Sequence, residues 1–134
     1  MVYVTQQDLI DRFGLTEVQQ LAPDGEGGID PVKIAAACDD ASAEIDAHLT
    51  IGGYTPPLSP TPPILVGYGA DIARHRLHDD GVPEPVEKRY AQALKFLMAV
   101  AKGEIRLGAN PVAESGVGSV EMVPGRQVFP GGGF

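Results

Sequence analysis

The placement of proline constrains this chain more than any other feature of its sequence. Proline fixes its own φ and has no backbone N–H, so it suits the first turn of a helix but not a helix interior or a central strand. Five of the 12 prolines lie between Tyr54 and Pro63. We therefore expect an extended connector there, with helices on both sides of it.

Three long helices are predicted from start signals that contain proline and stop signals that contain glycine. Asp30-Pro31 is a strong start, because Asp accepts hydrogen bonds from the free amides of the first turn while Pro suits the first helical position. Glycine commonly follows the last residue of a helix. The predicted helices run from Asp30-Pro31 to Gly52-Gly53, from Thr61-Pro62 to about Asp80-Gly81, and from Pro83-Glu84-Pro85 to Gly103.

Apolar residues recur at helical spacing in all three segments, which predicts one buried face for each helix. Cys38, the single cysteine, lies on such a face and is expected to be a small core residue. The predicted inward positions are Ile34, Cys38, Ala41, Ile45 and Leu49 in the first helix, Ile64, Leu65, Tyr68, Ile72, Ala73 and Leu77 in the second, and Val86, Tyr90, Leu94, Leu97 and Val100 or Ala101 in the third.

Two short helical pieces are predicted ahead of these. Thr5 to Asp8 has the pattern of a capping box, and Gly14 would end the helix that it opens. A second piece would run from Thr16 to Leu21. The predicted fold class is therefore all-α, a small helical bundle of about four helices over residues 1–103.

Residues 104–134 differ in composition and form a predicted assembly tail, extended and β-prone. Glycine, proline and valine dominate here, with candidate strands at Val117 to Val123 and at Val128-Phe129. Two strands alone are marginal. We expect a neighbouring subunit or a partner to hold this tail, through main-chain pairing with Val128, Phe129 or Phe134 as anchors.

The negative charge of the chain lies in its first part. Residues 1–57 carry ten acidic and two basic residues, whereas the rest carries eight of each, and the total is -8. Phosphate backbones are held by Lys and Arg, so the acidic part is unsuited to gripping DNA. It suits a basic protein partner or a surface that repels DNA. The helical acids Asp39, Asp40, Glu44 and Asp46 are the candidates for such a surface.

Two patterns suggest metal sites, and each has a plainer interpretation. The segment from Asp24 to Asp30 resembles part of a calcium loop, but its register places Ala22 and Lys33 at ligand positions, so a turn leading to the Asp30 cap is favoured. His75 and His78 are spaced for a two-histidine site; surface or interface histidines are the favoured interpretation.

Arg74 and Arg76 flank His75, where their charges would repel a cation. We expect both to pair with carboxylates, within the chain or between subunits. The sequence contains no phosphate-loop, nucleophile-elbow or Cys-His pattern. We therefore expect no enzymatic activity and no cofactor.

The N-terminus lacks the basic region and the apolar run of a secretory signal. No uninterrupted apolar stretch approaches the roughly 20 residues that cross a bilayer. We expect a protein made in the cytoplasm, without membrane association.

The order of these segments resembles the Mu-like phage protein family of the head-tail joining region. The resemblance covers about Met1 to Gly108, whereas the tail matches poorly. At His75 and His78 the family commonly has aromatic residues. The matching segments are Tyr3 to Gly14, Asp39 to Asp46 with Leu49, Tyr54 to Leu58 with Pro62-Pro63, Asp71 to Arg74 with Arg76-Leu77, and Val86 through Arg89-Tyr90, Ala93-Leu94 and Leu97 to Lys102-Gly103.

This resemblance implies a head-tail connector, a small helical protein of the virion neck. Such proteins form a ring, here expected to be dodecameric, beneath the portal protein. They extend the DNA channel and support the stopper or tail-terminator protein. The acidic part would then line a channel in which viral DNA slides, or dock on a basic portal surface. The alternative is an acidic helical regulatory module that sequesters a basic partner.

Overall fold

The computed structural model describes residues 3–58 and 60–108, in which the regular structure is helical. It confirms the predicted all-α class and contains both short opening helices and all three long helices, five against the about four predicted for the bundle. The five helices are α1 (Gln6–Phe13), α2 (Leu15–Leu21), α3 (Pro31–Ile51), α4 (Pro63–Leu77) and α5 (Glu84–Ala101). The predicted tail strands and the anchors Val128, Phe129 and Phe134 lie outside the described residues.

The start of α1 has the predicted capping box. Thr5 Oγ1 accepts a hydrogen bond from the Asp8 amide at 3.2 Å, and Asp8 Oδ2 accepts one from the Thr5 amide at 2.9 Å. Gly14 ends α1 and precedes α2, with a φ of 96° that side-chain-bearing residues rarely adopt. The two helices therefore change direction at Gly14.

The predicted start and inward face of α3 are confirmed. Asp30 Oδ1 accepts hydrogen bonds from the amides of Val32 at 3.0 Å and Lys33 at 3.3 Å. All five predicted inward side chains of α3 are buried. Burial raises the pKa of the Cys38 thiol to about 11, with a smaller contribution from the negative charges of Asp39 and Asp8.

Both predicted ends of α4 were wrong. The helix starts at Pro63 after Pro62, while the Thr61 hydroxyl donates to the Leu58 carbonyl at 3.2 Å instead of capping the helix. It stops at Leu77 because His78 adopts an extended backbone, and Asp79 beyond it forms an ion pair with Lys33 at 2.7 Å.

The predicted inward faces of α4 and α5 need smaller corrections. Ile64 was expected to face inward but is 45% exposed, because it lies on the opposite side of α4 from the buried Ala73. In α5 Ala93 is buried, whereas Tyr90 and Leu94 are half-buried. The core-facing stripe of α5 therefore passes through Ala93 rather than Leu94.

The three long helices pack against one another, and α1 lies against both α3 and α4. The contact of α3 with α4 is close, since a Cβ at Gly69 of α4 would lie 3.2 Å from Ile45 Cδ1 of α3. Residues 104–108 also pack on this body: Ile105 and Leu107 contact the core, and the Leu107 amide donates to the Tyr54 hydroxyl at 3.0 Å.

We predict that Ile45→Ala lowers the free energy of unfolding by about 2–5 kcal/mol, because it empties a fully buried site between packed helices. Ile51→Ala is the matched control in the same helix. Its side chain is 72% exposed, so a change within about 0.5 kcal/mol is expected. Urea denaturation measures both. Equal losses would contradict the packing described here.

Candidate functional site

An open groove of about 780 Å³ runs along the outer side of α4. We call it the α4 groove. Its floor is formed by α4 and its walls by α1 and α2 on one side and α5 on the other. The floor consists of Pro63, Ile64, Gly67, Tyr68, Asp71 and Arg74, and the walls consist of Arg12, Phe13, Glu17 and Arg89.

The helical repeat explains why most of this floor faces away from the core, although Tyr68 packs partly against it. Positions separated by three or four residues share one side of a helix, and the floor positions from Ile64 to Arg74 follow that spacing. The buried positions of α4, such as Leu65 and Ile72, project to the other side. That other side faces α3, as the contact of Gly69 with Ile45 shows. The α4 groove thus opens away from α3.

Arg74 joins α4 to both short helices at one end of the α4 groove. Its Nε and Nη2 atoms donate to Glu17 Oε2 and Oε1 at 2.6 and 3.0 Å, a two-point contact that fixes the plane of the guanidinium. The same group lies 4.3 Å from the centre of the Phe13 ring. It therefore makes a cation–π contact as well as an ion pair.

A second ion pair crosses the α4 groove from α5. Arg89 Nε donates to Asp71 Oδ1 at 2.9 Å. Asp71 is one of the few buried polar side chains among the described residues, and a buried carboxylate without a partner would be costly. Arg89 therefore stabilises the Asp71 charge and fastens the start of α5 to α4.

Arg12 differs from these two arginines. Its guanidinium lies over Gly67, where a Cβ would be 3.4 Å from Arg12 Nη1. Within residues 3–58 and 60–108 it forms no ion pair. The lining holds three guanidinium groups and two carboxylates, so the α4 groove is net positive although the chain carries a charge of -8.

Arg76 projects from a different side of α4 and pairs with α3. Its Nη2 lies 3.2 Å from Glu44 Oε2, and this hydrogen bond is the main cause that raises the Arg76 pKa. Arg74 and Arg76 thus both pair with carboxylates of their own chain. Their role in contacts between subunits, which the sequence suggested, stays a prediction.

The four predicted acids of α3 fall into two kinds. Glu44 is paired with Arg76, and Asp46 Oδ1 accepts a hydrogen bond from the Tyr3 hydroxyl at 2.7 Å. Burial, with this bond to Asp46, raises the Tyr3 pKa. Asp39 and Asp40 are exposed, and in the described part of the chain they accept no hydrogen bond and form no ion pair.

Asp39 and Asp40 belong to a surface that we call the outer face of α3. It lies opposite the buried side of the helix, and its other side chains are small or apolar. Val32 is 76% exposed, so this face also carries an uncovered apolar group. The outer face consists of Val32, Ala35, Ala36, Asp39, Asp40 and Ala43.

The two histidines do not converge on one point. His75 stacks on Tyr90 with ring centres 3.9 Å apart, and its Nε2 lies 3.0 Å from Glu87 Oε1. His78 has a buried Nε2 with no hydrogen-bond partner among the described residues, and burial is the main cause that lowers its pKa. His78 is therefore partly enclosed rather than a surface histidine.

The loop before α3 forms a turn, as the favoured interpretation predicted. Asp24 Oδ1 accepts hydrogen bonds from the amides of Glu26 at 2.7 Å and Gly28 at 2.9 Å. These bonds are the main cause that lowers the Asp24 pKa.

Across the described ranges, no group of three or more His, Cys, Asp and Glu side chains is arranged to hold a metal ion. In the same ranges no helix combines the length and apolar character that crossing a membrane requires.

The sequence patterns identified the acids of α3 but missed the α4 groove. Arg12 had no signal beyond its place in the last turn of α1, and Ile64 was assigned to the core. The usable signal was Gly67, a glycine inside a helix that is close to a polar stripe at Asp71 and Arg74. Such a glycine often marks a close approach of another group.

Comparison with known proteins gives matches to phage proteins. Residues 3–122 match the family described as Bacteriophage Mu, Gp36. The Mu-like prophage FluMu protein gp36 of Haemophilus influenzae is 33% identical over 112 residues, which cover 82% of this chain and 78% of that relative. The family match extends past Gly108, so the first part of the tail is included in it.

We predict that Arg74→Gln lowers the free energy of unfolding by about 1–3 kcal/mol, because it removes a partly buried two-point ion pair and a ring contact. Lys33→Gln is the control, since it removes one contact to the exposed Asp79. A loss below about 1 kcal/mol is expected there. Urea denaturation of both variants tests this. An equal effect would show that Arg74 acts as an ordinary surface residue.

We also predict a pH effect that depends on His78. Its folded-state pKa lies below the ordinary 6.5, so the unfolded chain binds a proton more readily. Stability should therefore be unaffected well above pH 6.5 and should fall as the pH drops below it. Unfolding free energies measured from pH 7.5 to 5.5 should vary less in His78→Gln than in wild type. His75→Gln serves as the comparison, and an unchanged slope in His78→Gln would contradict the assignment.

Proposed function

This chain belongs to the bacteriophage Mu Gp36 family, and from that membership we propose that it is a structural protein of the virion, a head-tail connector. It is a phage protein. In the proposal it forms a ring beneath the portal, extends the DNA channel, and offers a platform to the stopper or tail-terminator protein. Its work is mechanical and involves no catalysis.

The observation that carries the proposal is the position of two unlike surfaces on one small helical body. The outer face of α3 is acidic, whereas the α4 groove is net positive and opens on the other side of α4. A ring requires that each copy present two different surfaces, one to each neighbour. Ion pairs between helices, such as Arg74 with Glu17, support a rigid body that keeps these surfaces in place.

Among the four predicted acids of α3, the candidates for a surface role can be narrowed to two. Glu44 and Asp46 are engaged inside the subunit, so Asp39 and Asp40 are the charges available to DNA or to a portal surface. In a channel lining, these carboxylates repel phosphates, and DNA slides without being held. Docked on the portal, the same carboxylates meet basic side chains.

The same two exposed carboxylates favour the alternative, a regulatory module that sequesters a basic protein. The two functions differ in stoichiometry. A module gives a soluble complex with one copy of each protein, whereas a connector gives a ring that remains attached to the portal.

Native mass spectrometry of the chain, alone and with the portal of the same phage, tests the connector. We expect ring-sized assemblies on the portal. The portal is also mixed with a variant that carries both Asp39→Lys and Asp40→Lys. This variant should bind the portal less well than the wild type if the two carboxylates face the portal. If they line the channel, docking should persist and DNA passage should be disturbed. A chain that never binds portal would refute the connector.

Removal of residues 110–134 tests the predicted assembly tail. The described helices and the Leu107 contact to Tyr54 lie before this segment, so the circular dichroism spectrum should stay helical. We expect the truncated protein to fail in joining heads to tails in a complementation assay. Full complementation would show that the tail, with Val128, Phe129 and Phe134, is dispensable.

A further inference from the structure

We propose that the α4 groove binds the outer face of α3 from a second copy of this chain. This inference rests on the proposed ring and names the contact that would build it. In such a ring Asp39 and Asp40 meet a neighbouring copy, instead of DNA or the portal. One copy supplies a groove with arginines, and the next supplies an acidic helix face.

The shape of the α4 groove suits a helix. Gly67 has no side chain at the middle of the floor, so the Arg12 guanidinium can lie low over it, between the walls formed by α1 and α5. The floor from Ile64 to Arg74 spans about 15 Å at 1.5 Å per residue, and the outer face from Val32 to Ala43 spans about 17 Å. The two surfaces therefore match in length, and binding a helix in a groove is a common mode of recognition.

The charges of the two surfaces are complementary. Arg12 has no ion pair in the part of the chain that the structure describes, and it lies over Gly67 inside the α4 groove. Asp39 and Asp40 accept no hydrogen bond there. Asp39 lies near the centre of the outer face, and Asp40 lies at its edge toward Arg76, whose pKa the Asp40 charge helps to raise. Charged groups left unpaired in a subunit can pair in the assembly, where they set the orientation of the contact.

The apolar groups are complementary too. Ile64 is 45% exposed on the floor and Val32 is 76% exposed on the outer face, so each gains from being covered. Ala35, Ala36 and Ala43 are short enough to let the backbone of α3 approach the floor closely. A small-residue helix face fits a groove whose floor is itself lowered by a glycine.

The directions of the surfaces decide the symmetry of the contact. The α4 groove opens away from α3, and the outer face points away from α4, so one copy cannot bring its own two surfaces together. Copies must therefore join head to tail, which gives a closed ring when the rotation between neighbours closes. A symmetric pair with reciprocal contacts would need both surfaces on the same side of the subunit, and their opposite directions do not provide that.

A charge exchange tests the contact in the full-length protein. Self-association is measured by sedimentation velocity, once with the free chain and once with the chain bound to portal. Arg12→Glu should weaken self-association by about tenfold or more, because the new carboxylate then meets Asp39 and Asp40 of the neighbouring copy. Asp39→Arg with Asp40→Arg should do the same. All three changes in one chain should restore association at least partly. Lys95→Glu and Glu26→Lys, which reverse exposed charges outside both surfaces, should leave it unchanged.

A disulfide trap tests the position of the contact. Gly67→Cys and Ala36→Cys lie near the middle of the two surfaces, so their meeting does not depend on which way the bound helix runs. Both variants also carry Cys38→Ala, so that each has a single cysteine. When the two are mixed, a disulfide between Gly67→Cys and Ala36→Cys should form in preference to a disulfide between two copies of the same variant. Ala36→Cys mixed with Lys95→Cys is the control and should not cross-link.

Each contrary result has a distinct meaning. The Gly67→Cys variant could instead form a disulfide mainly with a second copy of itself. That result would show a symmetric contact between two α4 grooves and would overturn the proposal. So would self-association that ignores the charge changes but disappears when residues 109–134 are removed, since the tail, and not this contact, would then hold the copies together. Single copies that bind portal and never contact one another would overturn this contact and the ring. Ring assembly on the portal that ignores the charge changes would overturn this contact alone.

Discussion

The close packing of α3 against α4 at Gly69 determines where the other surfaces of this protein lie. A side chain at this position would press on Ile45 and Val4, so the glycine lets the two helices and the N-terminal segment meet within van der Waals distance. One side of α4 is thereby committed to the core. The stripe from Ile64 to Arg74 is left on the outside, where α1 and α5 rise on either side of it and form the α4 groove.

Ion pairs between the first and second parts of the sequence determine which of the acidic side chains stay unpaired in the folded chain. The acidic first part and the neutral second part are separate in sequence, but Glu17 and Glu44 pair with Arg74 and Arg76 in the folded chain. The excess charge is therefore not spread evenly over a free acidic face. It is concentrated in positions such as Asp39 and Asp40, which have no such partner in the described ranges.

The helices could be predicted because their signals are local. Asp30-Pro31 determines the start of α3 within one turn, and the spacing from Ile34 to Leu49 needs no information from the rest of the chain. The end of α4 instead lies where His78 has an extended backbone and a buried Nε2. A local pattern carries no information about what encloses His78, so the helix was predicted too long.

The candidate surfaces were less predictable for the same reason. Apolar spacing alone assigned Ile64 to the core, because a pattern of three and four also fits the outer stripe of α4. Only the position of α3 decides which stripe is buried, and that position follows from Gly69. The acids of α3 were identified, but their division into paired and unpaired groups required the locations of Tyr3 and Arg76.

A rigid body suits the proposed role as a connector, and this fold ties its helices together with few residues. The long helices share one core, and Arg74 and Arg89 tie α2 and α5 to α4 across the rim of the α4 groove. These arginines hold the walls of the groove, so they are unsuited to pairing with a neighbour as well. Arg12 forms no ion pair in the described ranges, so its guanidinium is available to a neighbouring copy. In the proposed ring, Arg74 and Arg89 would hold the subunit together and Arg12 would join it to the next copy.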